Sequence, residues 1–361
     1  MPKSLPLSPN HPTCRTKKKL NLIYGLFVCL GFSHCLPYLY HLGKEQSNII
    51  LSREKIEETL RNPNYDETTK LKLRLIQEVR NFAITKLALS EKGGFEYFTK
   101  LNRDEIGWNV SASDALEFKS YTWWFPIAGT VPYKGFFDKS LAIELENELK
   151  QKGYDTRIRT IGGYSTLGWF SDPILSPQLL WKDYRLVGLV IHEMAHATAY
   201  LPGDSDLNES YASFIEDKGV ELFYTTREGE NSPNLKKFKS EKSKRQTVFK
   251  TLKLYATSLN DLYSSSVTDD EKREKKKKII LEFKKEIISQ KLIPEEKAEE
   301  FLAREWNNED FLGALRYNSG EHSFEMLFQK TNRNFEKFHE DVRNLFSLTD
   351  EERSHFLNGQ N

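Results

Sequence analysis

The sequence predicts an α+β fold that is mostly helical and contains one small, mostly antiparallel sheet. Apolar residues recur three and four positions apart in "SREKIEETLRNPNYDETTKLKLRLIQEVRNFAITKLAL", and again from Tyr184 to the C-terminus, which is the periodicity of packed helices. Asn-Pro-Asn divides the first of these stretches into two helices, which we expect to have serine and aspartate caps. Between about Leu116 and Ser171 the chain is instead rich in aromatic residues, β-branched residues and glycine, which favours short strands and turns. No internal repeat and no long linker divides the chain.

The composition allows a large core and gives no sign of a nucleic-acid partner. The chain has 361 residues, of which 38% are hydrophobic, so it can bury a substantial core. Its 53 basic and 52 acidic residues leave a net charge of +1, which provides no overall field for nucleic acid. The lysine-rich stretch "DDEKREKKKKIILEFKKEIISQ" also contains acidic residues, so we interpret it as the solvated side of a helix rather than a patch for acidic lipid.

The N-terminus has the order of a secretory or anchoring segment. Basic residues Arg15–Lys19 precede an apolar run from Leu22 to Phe32. This run is shorter than the roughly 20 residues that a spanning helix needs, so a signal or lipid-attachment segment is favoured, with an uncleaved membrane anchor as the alternative. We therefore divide the chain into a basic segment (1–19), a signal or anchor segment (20–42) and one domain (43–361), with the domain outside the cytoplasm.

The motif that carries chemistry lies in "VIHEMAHATAYLPGDSDLNESYASF". Spacing of four places His192 and His196 one turn apart on one face of an apolar helix, where two imidazole nitrogens can bind one ion. Glu193 lies on the flank of that face, where a carboxylate can take a proton from water instead of binding the metal. The alternative is a pair of core histidines that only make hydrogen bonds.

A catalytic zinc needs a third protein ligand and an open fourth position. The next histidine is His322, and Pro202 stands where a metzincin would place its last histidine. A proline-glycine pair ends the first helix, and a second helix follows after a short turn, so the two helices are neighbours. Glu209 is the first candidate ligand and Glu216 the second, although Asp206 and Glu209 also have the spacing of a capping box.

Several blocks of the sequence resemble known peptidases. The paired-histidine motif followed by "LNESYASF" resembles the gluzincins, and "YSTLGWFSDP", "GLVIHEMAHATAY", "NESYASF" and "NNEDFLGALRY" resemble a bacterial family of predicted aminopeptidases with an N-terminal signal or lipoprotein segment. The resemblance spans roughly Leu36 to the C-terminus. It implies a zincin-like metallopeptidase domain with an HExxH active-site helix, in which His192, His196 and Glu209 bind Zn²⁺ and Glu193 is the general base. It also implies a peptide substrate and a place in the bacterial cell envelope.

The sequence departs from these families at three points. Ser213 stands where gluzincins place an aspartate that contacts a ligand histidine, so that role falls to Glu216 or lapses. The Gly-x-Met-Glu-Asn block that grips a free amine is absent, so exopeptidase activity depends on the resemblance alone. His34 precedes Cys35, where a lipoprotein box has a small residue. Cysteines occur only at positions 14, 29 and 35, which suits an oxidising compartment for the rest of the chain.

Two further pieces of the site are predicted. Tyr317 is the candidate donor to the developing oxyanion, with His322 as the alternative. "GGYSTLGWFSDP" is interpreted as an edge strand that holds an extended substrate, with a plain core strand as the alternative. The other functions considered are a catalytically silent envelope protein that keeps a structural metal for partner binding, and a metal-independent helical scaffold.

Overall fold

The structure is a computed structural model that describes residues 36–125, 129–163, 171–316, 320–357 and 359. These residues divide between two compact units at Asn48 and Ile49. The α-helices described are α1 (Leu36–Leu51), α2 (Ile56–Arg61), α3 (Glu67–Leu87), α4 (Lys139–Gln151), α5 (Asp183–Thr198), α6 (Ser205–Glu228), α7 (Pro233–Ser264), α8 (Asp269–Ser289), α9 (Ala298–Ala303), α10 (Asn308–Arg316), α11 (Glu321–Lys330), α12 (Phe335–Phe346) and α13 (Asp350–Leu357). The strands described are β1 (Glu54–Lys55), β2 (Tyr97–Thr99), β3 (Trp108–Ser113), β4 (Trp123–Phe125), β5 (Gly129–Val131), β6 (Tyr133–Phe136), β7 (Asp155–Thr160) and β8 (Ile174–Leu175).

Helices α2 and α3 flank the Asn-Pro-Asn stretch, as predicted. Asp66 caps α3 by accepting a hydrogen bond from the main-chain N–H of Thr69 at 2.9 Å. The predicted serine cap of α2 is wrong, because Lys55 occupies the N-cap position and makes no side-chain capping bond. Lys55 also belongs to β1, which pairs with β2 just before the helix begins.

Three small sheets lie among the helices. The first sheet has the order β6-β3-β7 and is antiparallel throughout. Its register pairs Trp108 with Thr160 and Ser113 with Asp155. A second sheet pairs β1 antiparallel and β8 parallel with β2, and β4 with β5 form an antiparallel pair. The prediction of a mostly helical α+β fold is confirmed. In place of the single small sheet that was predicted, the described residues form three small sheets, one of which contains a parallel pair.

The prediction of strands and turns alone between Leu116 and Ser171 is wrong, because this region contains helix α4. Asp138 caps α4 by accepting from the main-chain N–H of Ser140 at 2.8 Å. The helix buries Ala142 and Leu149, whereas most of its other residues remain in contact with water. The aromatic and glycine-rich segments on either side dominate the composition of the region and conceal this short amphipathic helix.

The main core is built by helices α3, α5 and α6 with α11 and α12. Its largest fully buried side chains are aromatic and aliphatic, and they include Tyr211, Tyr224, Phe223, Phe324, Phe338, Leu73 and Ile76. A second cluster lies between α7, α8 and α10, around Phe283 and Phe311. Since α5 and α6 lie at the centre of the main core, any group that they carry is held on a rigid base.

Helix α8 contains the lysine-rich stretch, and only part of it is solvated as predicted. Lys276 turns inward to the main-chain oxygen of Ala115, at 2.7 Å, and to the carboxylate of Asp155. Lys284 donates to the main-chain oxygens of Leu302 and Arg304. Two lysines of α8 therefore tie this helix to neighbouring segments, which the charge pattern alone did not indicate.

The predicted N-terminal features lie outside the described residues. These features are the basic run, the apolar run and the three cysteines. Within the part of the chain that the structure describes, no helix combines the length and the apolar character that crossing a membrane requires.

Candidate metal centre

Helix α5, which is mostly buried, carries the paired histidines. The side chains that it turns into the core are fully buried: Val187, Val190, Ile191 and Met194. His192 and His196 follow one another by a turn, with ring centroids 4.8 Å apart and planes at 82°. The helix ends at Thr198, because Ala199 has extended backbone angles. The two imidazoles therefore leave the same helix face near its C-terminal end.

Helix α6 begins earlier than the capping-box alternative requires. Asp204 is the N-cap residue, and its carboxylate accepts from the main-chain N–H of Leu207 at 3.1 Å. The capping-box alternative for Asp206 and Glu209 is therefore wrong. Glu209 lies beyond the first turn of α6, where its carboxylate is directed to the histidines and not to the helix start.

Asn208 closes the turn between α5 and α6. Its side-chain nitrogen donates to the main-chain oxygen of Leu201 at 2.7 Å, and its side-chain oxygen accepts from the main-chain N–H of Leu201 at 2.8 Å. Asn208 is 2% exposed, so water does not compete for these bonds. We call these two hydrogen bonds the Asn208 clamp. Because Glu209 is the next residue, the clamp fixes the main-chain position from which the Glu209 side chain extends.

The three predicted ligands come together as one group. The Nε2 atoms of His192 and His196 are 3.2 Å apart. The carboxylate oxygens of Glu209 lie 3.4 Å from Nε2 of His192 and 3.6 Å from Nε2 of His196. Zinc bonds of about 2.0–2.1 Å at tetrahedral angles place neighbouring ligand atoms about 3.3 Å apart. The three side chains thus fit a single small cation without rearrangement.

The charges of this group are consistent with a cation site. Burial lowers the pKa of His192, but hydrogen bonds to Glu209 and Glu216 outweigh it and raise this pKa well above its usual value. Burial and the nearby charge of His192 lower the pKa of His196 to about 4. Burial raises the pKa of Glu209, but His192 lowers it overall. These shifts favour a positive charge on His192 between two carboxylates, and a bound cation would take the place of that charge.

Glu216 lies behind the histidine pair. Nδ1 of His192 donates to its carboxylate at 3.1 Å, on the side of the ring away from Nε2. This position excludes Glu216 from the group of three ligands and makes it the partner that orients the ring. Gly188 allows the approach, since a Cβ there would come within 2.6 Å of Oε1 of Glu216. Glu216 thus makes the ring contact for which Ser213 is unsuited.

Glu193 lies against the chain that leaves strand β7. A Cβ on Gly163 would overlap Oε1 of Glu193, so only glycine lets the carboxylate come this close. Strand β7 ends a few residues earlier, at an edge of its sheet. The main-chain N–H of Ile161 donates to the main-chain oxygen of Gly107, just before β3. In this antiparallel register the alternate residues Ile158 and Thr160 direct their main-chain groups outward. No other described residue bonds to those outward groups.

Of the two candidate oxyanion donors, Tyr317 and His322, only His322 lies among the described residues. Tyr317 and most of "GGYSTLGWFSDP", residues 164–170, lie outside the described residues. His322 is exposed at the start of α11 and does not belong to the ligand group.

Tyr200 lies beside the candidate centre and was missed from the sequence. Its ring is perpendicular to that of His196, with centroids 6.2 Å apart. Burial, followed by the charge of Glu209, raises the pKa of its hydroxyl group. The signal that could have found it is its place just beyond the end of the helix that carries both histidines.

Comparison with known families supports a peptidase. Comparison with curated proteins and with solved structures gives no match. A family model described as "Putative aminopeptidase" matches residues 37–357, which is nearly the whole chain. The chain therefore belongs to the family that this model describes, which indicates peptide hydrolysis.

Proposed function

We propose that this protein is a zinc-dependent peptidase of the gluzincin type, with a zincin-like domain, and that it acts as an aminopeptidase. The observation that carries the proposal is the near-tetrahedral spacing of His192, His196 and Glu209, with Glu193 directly after the first histidine. Membership of the aminopeptidase family supports the reaction type.

Each residue of the candidate site has a separate role in the proposed reaction. Zinc held by the two histidines and Glu209 would polarise the scissile carbonyl and lower the pKa of a water molecule. Glu193 takes the proton from the attacking water and passes it to the leaving amine. Glu216 holds His192 in the tautomer that directs Nε2 to the ligand group. Tyr317 stays our candidate donor to the oxyanion.

The outer edge of strand β7 is the proposed place for the peptide backbone. The outward main-chain groups of Ile158 and Thr160 can pair with an extended chain by strand addition. A peptide bound there continues past Gly163, where the carboxylate of Glu193 lies. The edge strand that we propose is thus β7, which directly precedes the stretch predicted from the sequence.

We also propose that the protein resides in the bacterial cell envelope. The basic residues 15–19 would remain in the cytoplasm, the segment 20–42 would anchor the chain to the membrane, and the domain would be exported. Membrane fractionation with protease accessibility tests this placement, and a soluble cytoplasmic protein would contradict it. Release of the protein by Cys35→Ala would indicate lipidation, whereas unchanged retention would indicate an uncleaved anchor.

A single set of measurements on the purified full-length protein tests the activity. Metal content is determined first, and turnover of a peptide library with free and with blocked N-termini is then followed. We expect about one zinc per chain, hydrolysis that a chelator abolishes and zinc restores, and a requirement for a free N-terminus. Zinc without turnover would indicate a catalytically silent envelope protein, and absence of bound metal would indicate a helical scaffold.

A further inference from the structure

Helix α7 carries a local excess of positive charge. Between residues 236 and 253 it has eight basic residues and a single acidic one, Glu241, although the whole chain has a net charge of only +1. From Leu254 to the end of the helix at Ser264 no basic residue occurs. The excess is therefore a feature of one part of one helix and not of the overall composition.

Helical spacing collects most of this charge on the side of α7 that faces water. Positions 236, 240, 243, 247, 250 and 254 follow one another by three or four residues, so they form one row of about 27 Å along the helix. The opposite side buries Leu235, Phe238 and Leu252. We call the exposed lysines on and beside this row, with the leucine at its end, the basic face of α7: Lys236, Lys237, Lys239, Lys244, Lys250 and Leu254.

The lysines of the basic face have little negative charge beside them. Among the residues that the structure describes, Lys239 is the one lysine of this face in an ion pair, with Glu221 at 2.7 Å. Lys242, which lies nearer the core, is instead paired twice, with Asp217 at 2.7 Å and with Glu321 at 3.2 Å. The positive charge of α7 is thus balanced where the helix packs against its neighbours and unbalanced where it faces water.

Leu254 adds an apolar group to the end of the basic face. Its side chain is 65% exposed, and Lys250 precedes it by one turn. At a bilayer surface, a lysine keeps its ammonium group among the phosphates while its methylene stem, like a neighbouring leucine, contacts the boundary with the acyl chains. A soluble polyanion offers no such apolar region. The combination of lysines with an exposed leucine therefore favours a lipid surface as the partner.

We propose that the basic face of α7 binds the anionic headgroups of a lipid bilayer, such as phosphatidylglycerol. This inference goes beyond the proposed activity, and it rests on the proposed envelope location, which places the domain beside a membrane. A group of about four to eight basic residues on one helix is enough for such binding, which neutral lipids do not support. The contact holds the domain on the membrane by one defined face, whereas the N-terminal segment alone would leave its orientation free.

Chemical labelling of the full-length protein tests the contact. The protein is mixed with vesicles of phosphatidylcholine alone, or of phosphatidylcholine and phosphatidylglycerol in equal parts, and lysine acetylation is followed by mass spectrometry. We expect phosphatidylglycerol to slow the acetylation of Lys244 and Lys250 by about fivefold, which is the factor that one lysine contributes at an anionic surface. This protection should vanish in about 1 M salt, where the screening length is about 3 Å. Lys86, exposed on α3, is the control and should react equally with both vesicles.

Charge reversal gives a second readout. Lys244→Glu/Lys250→Glu should remove the protection of Lys237, whereas Lys277→Glu/Lys278→Glu, at two exposed lysines of α8, should preserve it. Melting temperatures of both variants exclude a folding defect, and the labelling of the wild-type protein does not depend on either variant. Equal protection of Lys86, or protection of Lys237 that survives charge reversal in α7, overturns the proposal.

Flotation of the same mixtures separates failure of the basic face from failure of the N-terminal anchor. Flotation with both vesicles and protection by phosphatidylglycerol support the two together. Flotation with the phosphatidylglycerol vesicles alone supports the basic face and contradicts the anchor. Flotation with both vesicles without protection leaves the anchor and overturns the basic face, and flotation with neither overturns both. Equal protection by soluble polyphosphate without vesicles would assign the face to polyanions in general and overturn the lipid assignment.

Discussion

Glu216 accepts a hydrogen bond from Nδ1 of His192 at 3.1 Å, while Nε2 of the same ring lies 3.4 Å from Glu209. The imidazole is therefore held between two carboxylates of one helix. The carboxylate behind the ring fixes its tautomer and increases the electron density at Nε2, which strengthens a bond to a metal.

The first prediction concerns this contact. Glu216→Ala should lower zinc affinity by about 10–100-fold, because His192 loses the partner that orients it. Glu216→Gln keeps an oxygen acceptor and should lower affinity less. Competition with a chromogenic chelator measures the dissociation constant. Glu221→Ala, on the same helix but paired with Lys239 at the surface, is the control. Equal affinities of the Ala variants of Glu216 and Glu221 would contradict the orienting role.

The second prediction separates ligand from base. Glu209→Ala leaves only two histidines to hold the ion, so zinc content and turnover should fall together. Glu193→Gln cannot take a proton but removes no ligand, so zinc should stay while turnover falls by a factor of about 10² or more. Metal analysis and peptide assays on both variants are required, since a folding defect would damage the two alike. Full activity in Glu193→Gln would exclude this mechanism.

The third prediction uses the two glycines that contact site carboxylates. A methyl group at Gly163 overlaps Glu193, so Gly163→Ala should lower turnover while zinc affinity stays near the wild-type value. A methyl group at Gly188 displaces Glu216, so Gly188→Ala should lower zinc affinity as well. The contrast between the two variants is the informative result. Identical effects on zinc binding would show that the glycines act only through packing.

The fourth prediction concerns the oxyanion donor. Tyr317→Phe should lower turnover by about 10²-fold or more with zinc content intact, since loss of one donor costs about 3 kcal/mol of transition-state stabilisation. Tyr200→Phe provides the comparison, because Tyr200 lies beside His196. Normal turnover in Tyr317→Phe together with a large loss in Tyr200→Phe would transfer the role to Tyr200.

The fifth prediction concerns pH. Nε2 of His339 donates to the main-chain oxygen of Leu87 and its Nδ1 accepts from Tyr211, and burial lowers its pKa from 6.5 to about 4. The folded chain holds this histidine neutral, so its contribution is present above about pH 6.5 and is lost as the pH falls towards 4. Between neutral pH and about pH 5 the loss is about 2 kcal/mol. Urea unfolding of His339→Gln should show a correspondingly smaller pH effect, whereas His355→Gln, at an exposed histidine, should match the wild type.

Local sequence signals predicted much of the candidate site. The spacing of His192 and His196 on an apolar helix fixes their common face, and a short turn makes the next helix a neighbour, so Glu209 could be selected before the structure was known. Glu216 was expected either to orient a histidine or to be the third ligand in place of Glu209. The sequence does not show which nitrogen of His192 each carboxylate contacts. The structure shows that Glu216 contacts Nδ1 and Glu209 contacts Nε2, and this difference assigns the orienting role to Glu216.

Other parts of the molecule depend on contacts between distant segments, which local patterns do not encode. The approach of Gly163 to Glu193 joins the end of a strand to the middle of a helix. Lys276 reaches Asp155 across more than a hundred residues, although its own stretch has the composition of a solvated helix. Helix α4 is short and weakly buried, so its aromatic neighbours obscured its periodicity.

The clamp made by Asn208 uses only main-chain atoms of Leu201. Its geometry therefore does not depend on which side chain stands at that position, but it does depend on the number of residues between the two helices. The turn can vary in composition without moving Glu209, whereas a single inserted residue would break both bonds and shift the carboxylate along its helix axis. Chain length in this turn thus sets the position of the Glu209 carboxylate relative to the two histidines.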